Sequence, residues 1–118
     1  MARLSTHVLD TANGRPAGGM RVCLYACEGE SRQLMKTAIT NPDGRTDEPL
    51  LVGERLPVGI YELVFSVAEY FAAPGSATSG APAFLGDVVV RFGIGDASAN
   101  YHVPLLVSPY AYSTYRGS

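Results

Sequence analysis

The chain has 118 residues, which is enough for one domain that buries a single core and too few for two. Hydrophobic residues make up 47% of the chain and charged residues 17%, a composition typical of globular rather than disordered or fibrous proteins. A net charge of -2 with no run of lysines or arginines argues against a nucleic-acid or anionic-membrane partner, and no apolar run approaches the roughly 18 to 20 residues that span a bilayer.

The secondary structure is predicted to be almost entirely β. Glycine and proline recur about every ten residues, and between them lie short runs rich in Val, Leu, Tyr and Phe, which is typical of a β-sandwich or barrel. In chain order, we predict strands at Leu4–Leu9, Arg21–Ala26, Gln33–Ile39, Ile60–Val67, Asp87–Phe92, Tyr101–Val107 and Tyr110–Tyr115.

The N-terminal segment leads directly into the first strand. Residues Met1–His7 have neither the apolar core nor the small-residue cleavage site of a secretory signal, and the chain does not end in a peroxisomal Ser-Lys-Leu. With Met1 as the natural start, we therefore expect a cytoplasmic protein.

The two cysteines, Cys23 and Cys27, lie in or next to the second predicted strand. At about 3.3 Å per residue their Cα atoms would be roughly 13 Å apart. A disulfide needs less than about 7 Å, so we predict two free thiols that serve packing and fit a reducing compartment. Two cysteines alone are also too few for a structural zinc cluster.

A tight turn is predicted in the middle of the chain, at Asn41-Pro42-Asp43-Gly44. Proline at position i+1 and glycine at i+3 favour a type I turn. Such a turn would hold the next residue, Arg45, close to a rigid corner.

One helix is predicted, at Val67–Ala72, and Pro74-Gly75 should end it after one or two turns. Ala, Gly, Ser and Pro dominate Ala73–Pro82, which we interpret as a mobile surface loop without catalytic groups. No internal repeat or interdomain linker follows, so residues 1–118 are predicted to be a single domain.

His102 is predicted to point away from the core. Alternation along its strand places Val103 and Leu105 on an apolar core face, and His102 on the opposite face with Pro104 and Leu106. An outward face that carries proline and leucine instead of charged residues indicates burial by another subunit.

His7 is predicted to lie on the same kind of face, because alternation groups it with Ser5 and Leu9, opposite Leu4 and Val8. A structural, hydrogen-bonded role is the simplest interpretation of either histidine taken alone. Zinc binding is disfavoured, since no Asp, Glu or Cys stands near them in a repeated ligand spacing. The nucleophile elbow, the phosphate-binding loop and the Cys-His pair are also missing from the sequence.

Three segments carry a resemblance to a known family. Leu4–Thr11 reads Leu-Ser-Thr-His-Val-Leu-Asp-Thr, Asn41–Arg45 contains an Asp-Gly-Arg turn, and Tyr101–Pro109 is followed by a chain end that reads Tyr-Arg-Gly-Ser. These segments resemble signatures of the 5-hydroxyisourate hydrolases of the transthyretin-like family. The resemblance extends over nearly the whole chain.

The resemblance implies an all-β fold, a transthyretin-like β-sandwich of two four-stranded sheets with one short helix. It implies a homotetramer with active sites in the channel between dimers, in agreement with the apolar face around His102. The implied reaction converts 5-hydroxyisourate to 2-oxo-4-hydroxy-4-carboxy-5-ureidoimidazoline by hydrolysis of a cyclic amide. Neither a metal nor an organic cofactor is implied.

The resemblance also places the site residue by residue. His7, Arg45, His102 and Ser118 take catalytic roles, and His7, Arg45 and Tyr115 take substrate-binding roles. A guanidinium stays protonated, so Arg45 would orient and stabilise carbonyl oxygens rather than act as the base. We favour His102 as the group that places or activates water and His7 for substrate contact or proton delivery, but the sequence leaves this choice open.

Two other functions fit an all-β domain of this size. The first is a transthyretin-type carrier that binds a small hydrophobic ligand without catalysis. A carrier channel would have no use for two histidines, an arginine and a polar chain end. The second is a structural adhesion or wall domain, but such domains are usually secreted and joined to others, features that this chain does not show.

Overall fold

The computed structural model describes residues 1–72 and 81–118. Residues 73–80, which include most of the predicted loop and the Pro74-Gly75 helix stop, lie outside the described residues. The described elements are β1 (Ala2–Asp10), β2 (Arg15–Pro16), β3 (Arg21–Glu28), β4 (Ser31–Ile39), β5 (Leu51–Gly53), β6 (Gly59–Phe65), α1 (Val67–Phe71), β7 (Val88–Ile94), β8 (Tyr101–Val107) and β9 (Tyr112–Thr114).

The strands form two sheets. The first sheet has the order β2-β1-β8-β9, and β5 also pairs with β1; the second has the order β4-β3-β6-β7. The predicted sandwich of two sheets is confirmed: the second sheet has the predicted four strands, and the first has one more. The extra strand arises because β2 and β5 pair with opposite ends of the same edge of β1. With two and three residues, these strands are too short to show alternation.

All seven predicted strands are present, with small shifts at their ends. No end is displaced by more than two residues; the fourth predicted strand, for example, was expected to reach Val67, but β6 ends at Phe65, and Val67 begins α1. The helix itself is confirmed and ends at Phe71. Both cysteines are free thiols, as predicted.

The core lies between the sheets and follows the predicted alternation. Val103, Leu105 and Val107 are buried on the inner face of β8, while His102 and Leu106 are only half-buried. Pro104, which we predicted to lie on the outward face and to be covered by another subunit, is already buried within the single chain. This central strand lies between β1 and β9, and the hydroxyl of Thr114 in β9 donates to the Pro104 carbonyl. In the described part of the chain, no helix has the length and hydropathy needed to cross a membrane.

Asp10 joins the end of β1 to the short helix. Its side chain is 1% exposed and accepts hydrogen bonds from the Asn13 backbone N–H, the Asn13 amide and the Tyr70 hydroxyl of α1. Burial alone would raise the pKa of Asp10, but the hydrogen bonds from Asn13 and Tyr70 outweigh it, and the pKa lies below its usual 3.8. The network therefore stabilises the ionised carboxylate.

We predict that Asp10→Asn destabilises the fold by about 1 to 3 kcal/mol, because the amide NH₂ must face groups that themselves donate hydrogen bonds. Because the folded pKa is lowered, the contribution of Asp10 is present at neutral pH and is lost as the pH falls through that pKa. Urea denaturation at pH 7 measures the effect, with Asp87→Asn as the exposed control. Equal stability of the Asp10 and Asp87 variants would contradict the prediction.

Candidate active site

The two histidines lie on the same face of the first sheet. Strands β1 and β8 are parallel, with Ser5 beside His102 and His7 beside Pro104. His7 and His102 are therefore diagonal neighbours, with Cα atoms roughly 8 Å apart from the strand spacing and the rise of two residues. Both side chains are half-buried, on the face opposite the core, as predicted.

Arg45 reaches this face through the predicted turn. The Gly44 N–H donates to the Asn41 carbonyl at 2.8 Å, which closes the turn, and Arg45 then forms a single β-bridge with His7. The turn lies against β1, where the Val8 N–H donates to the Gly44 carbonyl at 2.8 Å. Bridged residues share a face of the sheet, so Arg45 and His7 are neighbours.

Gly44 is the residue that allows this close approach. Its φ of +77° favours glycine, and a Cβ at this position would clash with the Val8 carbonyl oxygen. The turn and β1 therefore fit together only while this position carries no side chain.

The main chain fixes the proton position on His7. Its Nε2 lies 2.9 Å from the carbonyl oxygen of Asp43. A carbonyl can only accept, so Nε2 carries the hydrogen and donates it. In the neutral ring, Nδ1 then keeps a free lone pair that can accept a hydrogen bond or a proton.

His102 is half-buried and lies near two basic side chains. Its Nδ1 lies 2.9 Å from the Ser5 hydroxyl oxygen. Burial, followed by the positive charges of Arg45 and His7, holds the pKa of His102 below its usual 6.5. The ring is therefore neutral at pH 7 and able to accept a proton.

The end of the chain packs against His102. The Gly117 N–H donates to the His102 carbonyl at 2.7 Å in an antiparallel bridge. The register of this bridge continues that of β9, so Tyr115 falls opposite Pro104 and shares the face of His102 and Gly117. Arg116 points to the other face, where its guanidinium lies 4.2 Å from the centre of the Tyr101 ring.

The structure brings together some, but not all, of the five site residues that the resemblance implies. His7, Arg45 and His102 come together on one face, but Tyr115 is 60% exposed and borders a different cleft, and Ser118 is exposed. Among the hydrogen bonds of the described residues, the Ser118 side chain makes none. Sequence reasoning gave no role to Ser5 and included Gly117 only as part of the terminal tetrapeptide, yet both contact His102. For Ser5 the available signal was its position two residues before His7 on the same strand face.

Two openings flank these groups. A polar cavity of about 190 Å³ lies beside Arg45, and an apolar cleft of about 330 Å³ lies between the edges of the two sheets. The cavity is lined by Arg3, Ser5, Thr6, Arg45, Thr46, Asp47 and Pro49. Across residues 1–72 and 81–118, no three His, Cys, Asp or Glu side chains are grouped so as to hold a metal ion.

The arrangement suits acid–base chemistry on a polar substrate. The neutral His102 imidazole can accept a proton, His7 can hydrogen-bond a ligand, and the Arg45 guanidinium can stabilise a negative oxygen. These are the elements that hydrolysis of an amide requires.

Comparison with known proteins gives consistent matches over the whole chain. The model of the HIUase/Transthyretin family matches residues 4–117. The 5-hydroxyisourate hydrolase 2 of Rhizobium meliloti is 57% identical over 98% of this chain and 96% of its own length. The solved Klebsiella pneumoniae 5-hydroxyisourate hydrolase is 34% identical over the full length of both chains, with a TM-score of 0.79. A solved (S)-allantoin synthase is 48% identical, with a TM-score of 0.87, over 99% of this chain and 44% of that longer chain.

We predict that Gly44→Ala lowers both stability and the activity that depends on Arg45, because the added Cβ pushes the turn away from Val8. Gly29→Ala is the matched control: its φ is also positive, +61°, but a Cβ there meets nothing within 4 Å. The control should lose about 1 kcal/mol from backbone strain alone. Thermal melting and activity assays distinguish the two, and an equal loss in both variants would contradict the clash.

Proposed function

The chain belongs to the HIUase/Transthyretin family, and from this we infer that it is a 5-hydroxyisourate hydrolase. It hydrolyses 5-hydroxyisourate to 2-oxo-4-hydroxy-4-carboxy-5-ureidoimidazoline, a step in urate degradation. The observation that carries this conclusion is 57% identity over almost all of both chains to a hydrolase of that name. The grouping of His7, Arg45 and His102 on one face supports it chemically.

For the mechanism, we propose that His102 activates the water. Its low pKa leaves the imidazole neutral at pH 7, so it can take a proton from water as the oxygen attacks the ring carbonyl. The carbonyl carbon gains a C–O bond and loses its C–N bond, and the proton passes from His102 to the departing ring nitrogen. No group outside the substrate, water and the side chains is needed for this balance.

His7 and Arg45 are proposed to hold the substrate during this step. The Nδ1 lone pair of His7 can accept an N–H of the heterocycle, because Nε2 is already committed to the Asp43 carbonyl. Arg45, bridged to His7, can donate to the substrate's carbonyl oxygens and stabilise the negative charge that develops on them.

Tyr115 and Ser118 are proposed as the remaining members of the site, Tyr115 for substrate binding and Ser118 for catalysis. Support comes from the bridge between Gly117 and His102, which keeps the chain end beside the histidine. Tyr115 falls on the same face, and its exposed ring is free to contact a ligand held there.

We propose that the protein acts as a homotetramer, with the site face covered by another subunit. Ser5, His7, Leu9, His102 and Leu106 are half-buried on this face, and two of the five are apolar, which is unusual for a strand face that remains in water. We further propose that residues 1–118 form one hydrolase domain that works in the cytoplasm without a cofactor. The two free thiols fit such a reducing compartment.

We predict that His7→Asn and His102→Asn each lower turnover by about 10²-fold or more while the fold is retained. The assay follows the ultraviolet absorbance of 5-hydroxyisourate generated in place by urate oxidase, against its spontaneous decay. Because His102 must be neutral, wild-type activity should fall on the acid side, with a midpoint below about pH 6.5. Background decay with folded wild-type protein would refute the hydrolase, and normal turnover in both variants would refute the acid–base assignment.

We predict that light scattering gives four times the 12.5 kDa chain mass. Leu106→Glu should reduce this mass and the activity together, because a charge on the site face opposes its burial. Ile39→Glu, on an exposed position of the second sheet, is the matched control and should leave both unchanged. An active wild-type protein with the mass of one chain would exclude the shared site.

A further inference from the structure

Ser5 lies in the candidate active site and makes a polar contact with His102, but it takes no part in the proposed reaction steps. It lies directly beside His102 in the parallel pairing of β1 and β8, and its hydroxyl oxygen is 2.9 Å from Nδ1 of the ring. Both residues are half-buried. Within the described residues, the Ser5 hydroxyl makes no other hydrogen bond, so its partner is the histidine.

The imidazole of His102 is confined from the opposite side by Gly117. A Cβ on Gly117 would lie 2.6 Å from the ring Cδ2 and 3.3 Å from Cγ, so the glycine backbone is packed directly on this edge of the ring. Nδ1 and Cδ2 are the two ring atoms bonded to Cγ, and they lie on opposite edges. With Ser5 at one edge and Gly117 at the other, the far end of the ring, Nε2 and Cε1, is left to face the open side of the sheet.

We propose that Ser5 is a positioning residue for His102: its hydroxyl holds Nδ1 and thereby presents Nε2 to the water and the substrate. This inference rests on the proposed function, since it assigns the orientation of the base in that reaction. Ser5 touches neither water nor substrate in this role and acts only through the histidine.

A hydroxyl suits this role in both halves of the reaction. It can accept a hydrogen bond from Nδ1–H, which is present in one neutral tautomer and in the imidazolium, and rotation of the hydroxyl lets it donate to a bare Nδ1. The contact therefore persists when His102 takes a proton from water and when it returns that proton. A carboxylate at this position would favour the charged ring and raise its pKa, whereas the uncharged serine orients the ring and leaves it neutral.

The test compares residues at position 5 that carry a hydroxyl, serine and threonine, with residues that lack it, alanine and valine. Ser5→Thr keeps the hydroxyl and Ser5→Val has almost the same shape without it, while Ser5→Ala removes it from the natural residue. We expect Ser5→Ala and Ser5→Val to lose about 10- to 100-fold in kcat with little change in KM, and Ser5→Thr to stay close to wild type. Ser31→Ala, which removes an exposed serine hydroxyl in the β3–β4 hairpin, is the control and should not alter kcat.

A spectroscopic measurement separates orientation from folding. In ¹⁵N-labelled protein, the Nδ1 and Nε2 chemical shifts of His102 report which nitrogen is hydrogen-bonded and protonated. We expect these shifts to change in Ser5→Ala and Ser5→Val and to be restored in Ser5→Thr, while circular dichroism and oligomer mass stay constant. Unchanged His102 shifts in both hydroxyl-free variants would overturn the proposal.

Failure of this proposal is distinguishable from failure of the proposed function. If the protein is no hydrolase, wild-type protein leaves 5-hydroxyisourate at its background rate of decay. If the protein is a hydrolase but Ser5 does not position His102, wild type, Ser5→Ala and Ser5→Val share one kcat. A drop in kcat that Ser5→Thr fails to rescue would also overturn the proposal, because it would trace the loss to shape and not to the hydroxyl.

Discussion

Seven consecutive residue pairs join β1 to β8 in parallel, from Leu4 beside Tyr101 to Asp10 beside Val107. Because side chains alternate along a strand, a slip of one residue in this pairing would turn one strand's whole outward set into the core. The buried residues Val8 and Leu105 prevent such a slip, since each would have to enter water. The same packing that stabilises the sandwich therefore sets His7 and His102 on one face and Ser5 beside His102.

The site brings three nitrogen-rich groups together, and their electrostatics limit how many of them are charged. Arg45 keeps its proton under all ordinary conditions, so its positive charge is permanent. Burial and this neighbouring charge disfavour a second cation at His102, and the ring remains neutral. The two groups therefore have different roles: the permanent charge of Arg45 can stabilise an oxygen that becomes negative, and the uncharged ring of His102 can take a proton.

Much of the fold follows from local patterns in the sequence. The seven predicted strands and the short helix could be found because alternation and turn residues act over a few positions. The outward direction of His7 and His102 follows from the same alternation. The turn before Arg45 was predictable from Pro42 and Gly44. The strands β2 and β5 were not, because Arg15–Pro16 and Leu51–Gly53 carry no strand pattern and form strands only by pairing with β1. The equally short β9 was predictable only because it lies within the longer apolar and aromatic run Tyr110–Tyr115.

The full set of site residues was harder to predict from the sequence, because it depends on strand pairing between distant parts of the chain. Ser5 and His102 are 97 residues apart, and no local signal states that they are neighbours. Gly117 looked like one residue of a terminal motif until the bridge to His102 gave it a packing role. Tyr115 and Ser118 entered through resemblance alone, and the fold by itself assigns no chemistry, since one architecture serves many functions.

The hydrogen bond between His7 and the Asp43 carbonyl determines which substitutions at position 43 the site tolerates. The acceptor belongs to the main chain, so any residue that preserves the turn supplies the same oxygen. Position 43 is exposed, and replacing its carboxylate leaves the orientation of His7 intact. His102, by contrast, takes its partner from the side chain of Ser5. The two histidines thus differ in mutational robustness: one is held by an atom that nearly every amino acid possesses, the other by a group that few of them carry.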